Sequence, residues 1–305
     1  MQLRDWTLGL KLPEYERPAF VRAGENRSSL RRGVVIDSAL IVRGLAGAVC
    51  AGVITAKARQ ANTLSKSGQW AAFAIGIITA AAGWWWAAIL IVFFVSSSAL
   101  TRWGGQQKFE RTLTTIPQTA QRNATQVFAN GGLFALAALE ATLTGRPLFA
   151  LAALGALAAA AADTWSTEIG TLFGGEPRSI INWYPVAAGI SGGVTPVGSF
   201  AGLGGALVIA GLGAVTIGGG DWRMGTAVLL GGFTGCIADS VIGGTMQSRR
   251  WCDRCREWTE RRVHPCGFRT VHRRGFYWMT NDLVNALATV IGADGTIGVS
   301  WLLGR

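Results

Sequence analysis

The sequence predicts an all-α polytopic membrane protein of about eight transmembrane helices, with one small cytoplasmic Cys/His insert. Half of the 305 residues are apolar and only 15% are Asp, Glu, Lys or Arg, against about 25% in soluble domains. The apolar residues fall in long uninterrupted blocks, the pattern of membrane spans. The net charge of +11 lies largely between those blocks, which implies basic loops facing anionic headgroups or a phosphorylated substrate rather than a nucleic-acid partner.

Residues 1–33 read as a polar, irregular arm with two prolines by position 18 and no secretory signal. The transmembrane domain then runs over 34–247. Its first block, Val34 to Ala56, contains Asp37 and Arg43. Trp70 to Val95 is apolar throughout, broken by Gly83 and Trp84-Trp85-Trp86; it predicts two helices, about 69–82 and 84–100, with the tryptophans at an interface. The first is short for a crossing of ~20 residues. Ser96-Ser97-Ser98 leads into a basic loop with Arg102, Lys108 and Arg111, suited to an anionic ligand. Arg122 precedes a helix over about 124–143, on which Asn123, Gln126 and Asn130 form a polar stripe. Such a stripe can also be polar glue between helices.

The alanine-rich helix 147–163 ends in Asp163-Thr164-Trp165-Ser166-Thr167-Glu168-Ile169-Gly170. A carboxylate at the end of a membrane-length apolar segment is costly and calls for a partner or a purpose. Asp163, the hydroxyls of Thr164 and its neighbours, and Glu168 are hard oxygen donors of the type that holds Mg²⁺ beside a phosphate. An acidic helix cap is the alternative. After a loop over 171–190, the stretch from Ile190 through Gly192, Gly193, Thr195 and Ser199 to Gly205 exposes backbone N–H groups and hydroxyls that can cradle phosphate at a helix start. It is not a Walker A loop. On helix 224–246, Gly235, Asp239, Gly243 and Gln247 share one face, with Ser240 beside them. Two aspartates in one apolar chain favour a metal–nucleotide site.

Residues 248–279 form the soluble insert, with nine arginines between Arg249 and Arg274, which assigns it to the cytoplasm. Cys252-x-x-Cys255 and His264-x-Cys266 fit a structural Zn²⁺ site of three thiolates and one imidazole, with His272 as a substitute ligand. A disulfide is disfavoured in that compartment. Residues 280–305 supply the last helix, capped by Thr280, with Asn281, Asp282 and Asn285 in its first turns. Strict alternation of eight spans brings every polar cluster to one side, together with 17 of the 28 Lys and Arg residues, and sends the basic arm to the other, against the charge bias.

Taken in order, Leu64-Ser65-x-Ser67-Gly68, Ser97-Ser98-x-Leu100-Thr101-Arg102-x-Gly104, Gln126-Val127-x-Ala129-Asn130-Gly131-Gly132, Asp163-Thr164-Trp165-x-x-Glu168-Ile169-Gly170, Gly192-Gly193-Val194, Asp239-Ser240-x-x-Gly243 and Asn281-Asp282-x-Val284-Asn285 resemble an integral membrane family. It contains the phytyl-phosphate kinase of vitamin E synthesis and animal transmembrane protein 19. The resemblance covers about residues 34–303. It implies transfer of a phosphoryl group from CTP or another NTP to a prenyl (phytyl or geranylgeranyl) monophosphate on the cytoplasmic side of the bilayer. Under it, Asp163, Glu168 and Asp239 are expected to hold Mg²⁺. Lys108, Arg102 and Arg122 would neutralise phosphates. Thr164, Gly192, Gly193, Ser199 and Ser240 would contact the nucleotide, and Asn130, Asn281, Asp282 and Asn285 would orient metal or phosphate. The rival readings are a lipid-phosphate transporter or flippase, and a CTP-dependent cytidylyltransferase.

Overall fold

The computed structural model describes residues 38–117 and 121–304; the N-terminal arm and Asp37 lie outside them. The helices are α1 (Ser38–Gln60), α2 (Lys66–Ala82), α3 (Trp84–Arg102), α4 (Gly105–Thr112), α5 (Ala124–Thr144), α6 (Pro147–Phe173), α7 (Pro196–Thr216), α8 (Trp222–Thr245) and α9 (Asn281–Leu302). Among the described residues, seven are long and apolar enough to cross a membrane. The eighth long helix, α2, has 17 residues and packs on α1, α3 and α5. The protein is an all-α polytopic membrane protein, as its composition implies.

Helix starts follow local chemistry. Ser65 accepts from the Gly68 N–H at the start of α2, Thr195 from Gly198 at α7, and Thr280 from Leu283 at α9. Asn123 and Gln126 form a reciprocal capping box on α5, so two members of the expected polar stripe serve the helix start. Gly83 alone separates α2 from α3, and Trp86 turns inward onto Phe134 while Trp84 and Trp85 stay exposed.

Helix α6 is the centre of the molecule. All its alanines but Ala152, together with Leu154 and Leu157, are buried, and it meets α3, α5, α7, α8 and α9. A helix apolar all round belongs in an interior. Small side chains let its neighbours approach closely. It runs ten residues beyond the expected end at 163, and Gly170 in this extension packs against Thr195 and Gly198. At ~1.5 Å per residue its 27 residues span more than the ~30 Å hydrocarbon core.

Two further expectations are corrected, at the glycine-rich stretch and at the basic loop after α3. The glycine-rich stretch 190–205 is not one loop: it forms β2 (Gly193–Val194), paired with β1 (Arg178–Ser179), and then enters α7 at Pro196. Proline at the first helical position fits, since its missing N–H has no partner there anyway. The insert is folded into a three-stranded antiparallel sheet of β4 (Glu257–Thr259), β3 (Arg249–Cys252) and β5 (Val271–Arg274), in that order. The short α4 also stands where a basic loop was expected.

Candidate functional site

The connections divide the bundle into two ends. At one end the turns are tight: Gly83, residues 145–146 and residues 217–221. At the other lie residues 61–65, 103–117, 121–123, 174–195 and 246–280. Both α6 and α8 run toward that second end, so they are parallel. A Cβ added at Gly235 would stand 2.6 Å from the Ala159 Cβ and 2.6 Å from the Ala288 carbonyl oxygen. This contact sets the register. One turn further along each helix come Asp163 and Asp239, level with each other, each within reach of the other's charge. On the antiparallel α9, the Asn285 amide donates to Asp239 Oδ2 at 3.0 Å and to the Asn281 carbonyl at 3.2 Å. Asp282 accepts from the Thr125 hydroxyl at 2.5 Å and so ties α9 to α5. Thr164 is buried beside Asp163, and Ser240 is half-buried beside Asp239.

Glu168 lies five residues beyond Asp163, toward the C-terminal end of α6. Its Oε1 accepts from Thr101 at 2.6 Å and its Oε2 pairs with Lys108 Nζ at 2.5 Å. Lys108 also donates to the Leu100 and Thr101 carbonyls at 2.6 and 3.0 Å. Its three protons therefore have protein acceptors. Arg102 is likewise engaged, donating to the Ala61 carbonyl at 2.6 Å and to Thr63 at 2.5 Å. Arg122 differs: among the described residues no acceptor holds its guanidinium. Burial lowers its basicity, and the charge of Glu168 acts in the opposite sense.

Arg122, Gln126 and Asn130 stand at one end of an apolar cavity of about 430 Å³ between α1, α2, α3 and α5. Ile54, Ile75, Ile91 and Phe94 are among its walls. Asn130 thus faces this cavity rather than closing the α5 cap.

The glycines expected to hold phosphate have packing roles. Gly192, at φ +80°, lies against Ser240 and Gly244 of α8, and Gly193 against Val186 and Pro177. Gly198, Gly202 and Gly205 lie on the backbone of α6. Ser199 is half-buried in the first turn of α7. Residues not singled out from the sequence complete this wall. Glu260 accepts from the Ser191 N–H at 3.2 Å and from its hydroxyl at 2.5 Å, while the Arg249 guanidinium donates to the Ser191 carbonyl. Burial raises Glu260 above the ordinary carboxylate range, opposed by the Ser191 hydrogen bonds and by Arg249. Burial lowers Arg249, with Arg274 adding to the shift and Glu260 opposing it. An acidic residue inside an arginine-rich insert was the available signal.

Cys252, Cys255, His264 and Cys266 come together, with their ligand atoms within 4.8 Å of one another. His272 instead packs edge-on to Tyr277. Among the described residues, this is the only group of three or more His, Cys, Asp or Glu to converge so closely. The carboxylates of Asp163, Glu168 and Asp239 stand further apart.

A family model described as "Integral membrane protein DUF92" matches residues 49–293. The uncharacterized membrane protein MJ0933 of Methanocaldococcus jannaschii is 30% identical over 58% of this chain and 61% of its own length. Protein PGR of Arabidopsis thaliana is 30% identical over 48% of this chain and 60% of its own. The uncharacterized membrane protein sll0875 of a Synechocystis strain is 28% identical over 66% and 68%. The chain thus spans about three fifths of the length of the first two. No solved structure matches it.

Proposed function

The chain belongs to the DUF92 family of integral membrane proteins, which includes the phytyl-phosphate kinase and transmembrane protein 19 group, and from that premise we propose that it is a kinase of isoprenoid monophosphates. One observation carries the reading. The apolar slot of about 430 Å³ has Arg122 and Asn130 among its lining residues, and Arg122 lies within the field of Glu168, on the same helix as Asp163. A phytyl or geranylgeranyl tail would occupy the slot and its phosphate would meet Arg122.

Phosphoryl transfer needs positioning and charge neutralisation more than covalent chemistry. An oxygen of the lipid monophosphate attacks the γ-phosphorus of CTP or another NTP. A new P–O bond forms, and the bond to the β,γ-bridging oxygen breaks. The nucleoside diphosphate leaves with the electron pair. The monophosphate is already ionised, so no general base is required. Asp163 and Asp239 would hold Mg²⁺ with the nucleotide phosphates. Glu168, fixed by Lys108 and Thr101, would act through water. Mg²⁺ keeps several waters and uses one or two carboxylates, which suits carboxylates that stand apart. Lys108 and Arg102 act as positioning residues, since both already have protein acceptors. Thr164, Ser199, Ser240, Asn281, Asp282 and Asn285 line or brace the nucleotide side, and Gly192 and Gly193 shape it through backbone packing. The arginine-rich insert supports a cytoplasmic setting for this face.

The test uses purified protein in detergent with phytyl or geranylgeranyl monophosphate, Mg²⁺ and each NTP in turn, the lipid product being read by mass spectrometry. A Mg²⁺-dependent prenyl diphosphate is expected. Pyrophosphate release with a CMP-lipid product would make the protein a cytidylyltransferase. Folded protein that forms no product with any NTP, yet moves prenyl phosphate across liposomes, would make it a transporter.

A further inference from the structure

We propose that Cys252, Cys255, His264 and Cys266 bind one zinc ion, and that this ion holds Glu260 on the Ser191 loop, clasping the insert to the carboxylate end of the bundle.

The insert cannot be held by a core of its own. Over 248–279, only Cys252 and Met279 are buried apolar residues. A segment this small, with so little apolar burial, needs a staple such as a metal or a disulfide. Its cysteines are free thiols. The geometry suits a metal. Cys252 Sγ and Cys266 Sγ are 3.7 Å apart, and a tetrahedron with Zn–S arms of about 2.3 Å has edges of about 3.8 Å. His264 Nδ1 lies 3.2 Å from Cys266 Sγ, so that nitrogen faces the thiol cluster. Its other nitrogen, Nε2, faces Glu257 Oε2 at 3.5 Å. A carboxylate behind the second nitrogen of a ligating imidazole is the usual outer-shell arrangement, and it fixes which nitrogen binds metal.

The chain path explains what the ion would do. Cys252 and Cys255 stand at the β3–β4 turn. His264 and Cys266 stand in a second turn, closed by the Val263–Arg269 bridge. Between the two ligand pairs runs the segment that docks on the membrane domain. Thr259 Oγ1 and the Glu260 N–H donate to the Thr115 carbonyl at 3.0 and 2.7 Å. The Arg261 guanidinium donates to the Leu113 and Ile116 carbonyls at 3.1 and 3.0 Å. The Glu260 carboxylate takes both Ser191 donors. One ion would thus fix both ends of the docking segment. Thr115 follows α4, whose Lys108 holds Glu168, and Ser191 precedes Gly192, which packs on α8 beside Ser240. The clasp therefore reaches the elements that hold Glu168 and those that pack beside Asp239, and Glu260 lies within the field of Asp239.

The experiment uses the full chain in detergent, purified without chelator under reducing conditions. Elemental analysis should find about one zinc per chain, and Co²⁺ exchanged into the site should show thiolate charge-transfer and tetrahedral d–d absorption. Cys255→Ser, at an exposed thiol, should lose the ion. Amide exchange over 113–116 and 189–193 should then quicken about tenfold, with 153–163 still protected. Glu260→Ala should keep the zinc yet show the same quickening. Glu260→Gln, which retains an acceptor for Ser191, should not. If Cys255→Ser does not fold, zinc stripped from the native protein by a chelator is read by the same exchange. Wild-type protein that holds no zinc and takes up no Co²⁺ would overturn the site, as would a Cys252–Cys266 disulfide. Loss of zinc with unchanged exchange would overturn the clasp. None of these readouts involves phosphoryl transfer, so their failure is separate from failure of the kinase reading.

Discussion

The two halves of the bundle are built differently. Helices α6 to α9 touch through glycine and alanine, and α6 is mostly buried whereas α1 is mostly exposed. Gly155 meets Thr296 and Gly292, Gly232 meets Ala158, and Gly235 meets Ala159. Such close contacts leave little freedom of register, and register is what levels Asp163 with Asp239. Helices α1, α2, α3 and α5 enclose an apolar cavity and turn many of their large side chains outward, although α1 and α2 also meet closely at Gly47 and Ala80. The close-packed half holds its charged groups in a defined register. The open half can receive a flexible chain. A protein that joined a lipid to a metal-bound phosphate would need one half of each kind.

The largest effects should come from the carboxylates of the packed half. Asp163→Asn and Asp239→Asn should each lower turnover in the kinase assay by on the order of 10²–10³, the scale for losing one electrostatic stabiliser in a closed site. Melting temperature should change little, because each side chain keeps its size. Full activity in either variant would falsify its role at the metal. Next comes packing. A side chain at position 235 must push Ala159, Ala288 and Gly292 aside, so Gly235→Val should cost about 1–3 kcal/mol as overpacking does. Thermal unfolding in detergent measures it. A neutral result there would mean the halves do not differ in rigidity as their contacts imply.

Much of this was legible in the residues themselves. The apolar blocks, Gly83 and the cap at Thr280 mark helices at close to their observed bounds. Asp163, Asp239 and Asn285 stand out because a polar group on an apolar helix is expensive, and the i, i+4 spacing of Gly235 and Asp239 already sets both on one face. What stayed hidden depends on distance in the chain. The extension of α6 past Asp163 rests on its packing against Thr195 and Gly198, which no local pattern announces. The pairing of Lys108 with Glu168 spans 60 residues, and that of Glu260 with Ser191 spans 69. Glycines 198, 202 and 205 read equally well as a phosphate loop or as a helix-packing face, and only the neighbouring helix decides between them.

The open half should respond in selectivity rather than stability. Cys50 lines the cavity from α1 and its side chain is not buried. Cys50→Trp should fill part of the slot and lower kcat/KM for geranylgeranyl phosphate about tenfold relative to a shorter prenyl phosphate, the scale of a few lost methylene contacts. Melting temperature should hold. Equal losses for long and short chains would move the tail elsewhere on the molecule.

The smallest effect concerns Glu260, whose docking segment belongs to neither half. Burial raises its carboxyl above the ordinary range, with the Ser191 N–H, the Ser191 hydroxyl, Arg249 and Gln247 pulling the other way. A carboxyl raised on folding favours the folded state in its protonated form. Its contribution is complete below the unfolded value and is lost as pH rises through the folded one. Glu260→Gln keeps a neutral acceptor at every pH. Its melting temperature should therefore match the wild type in acid and exceed it slightly toward neutrality, while the cores of both halves set the absolute value. If the variant were instead less stable at neutral pH, the Arg249–Glu260 attraction would outweigh burial, and the insert would be bound to the membrane domain by charge.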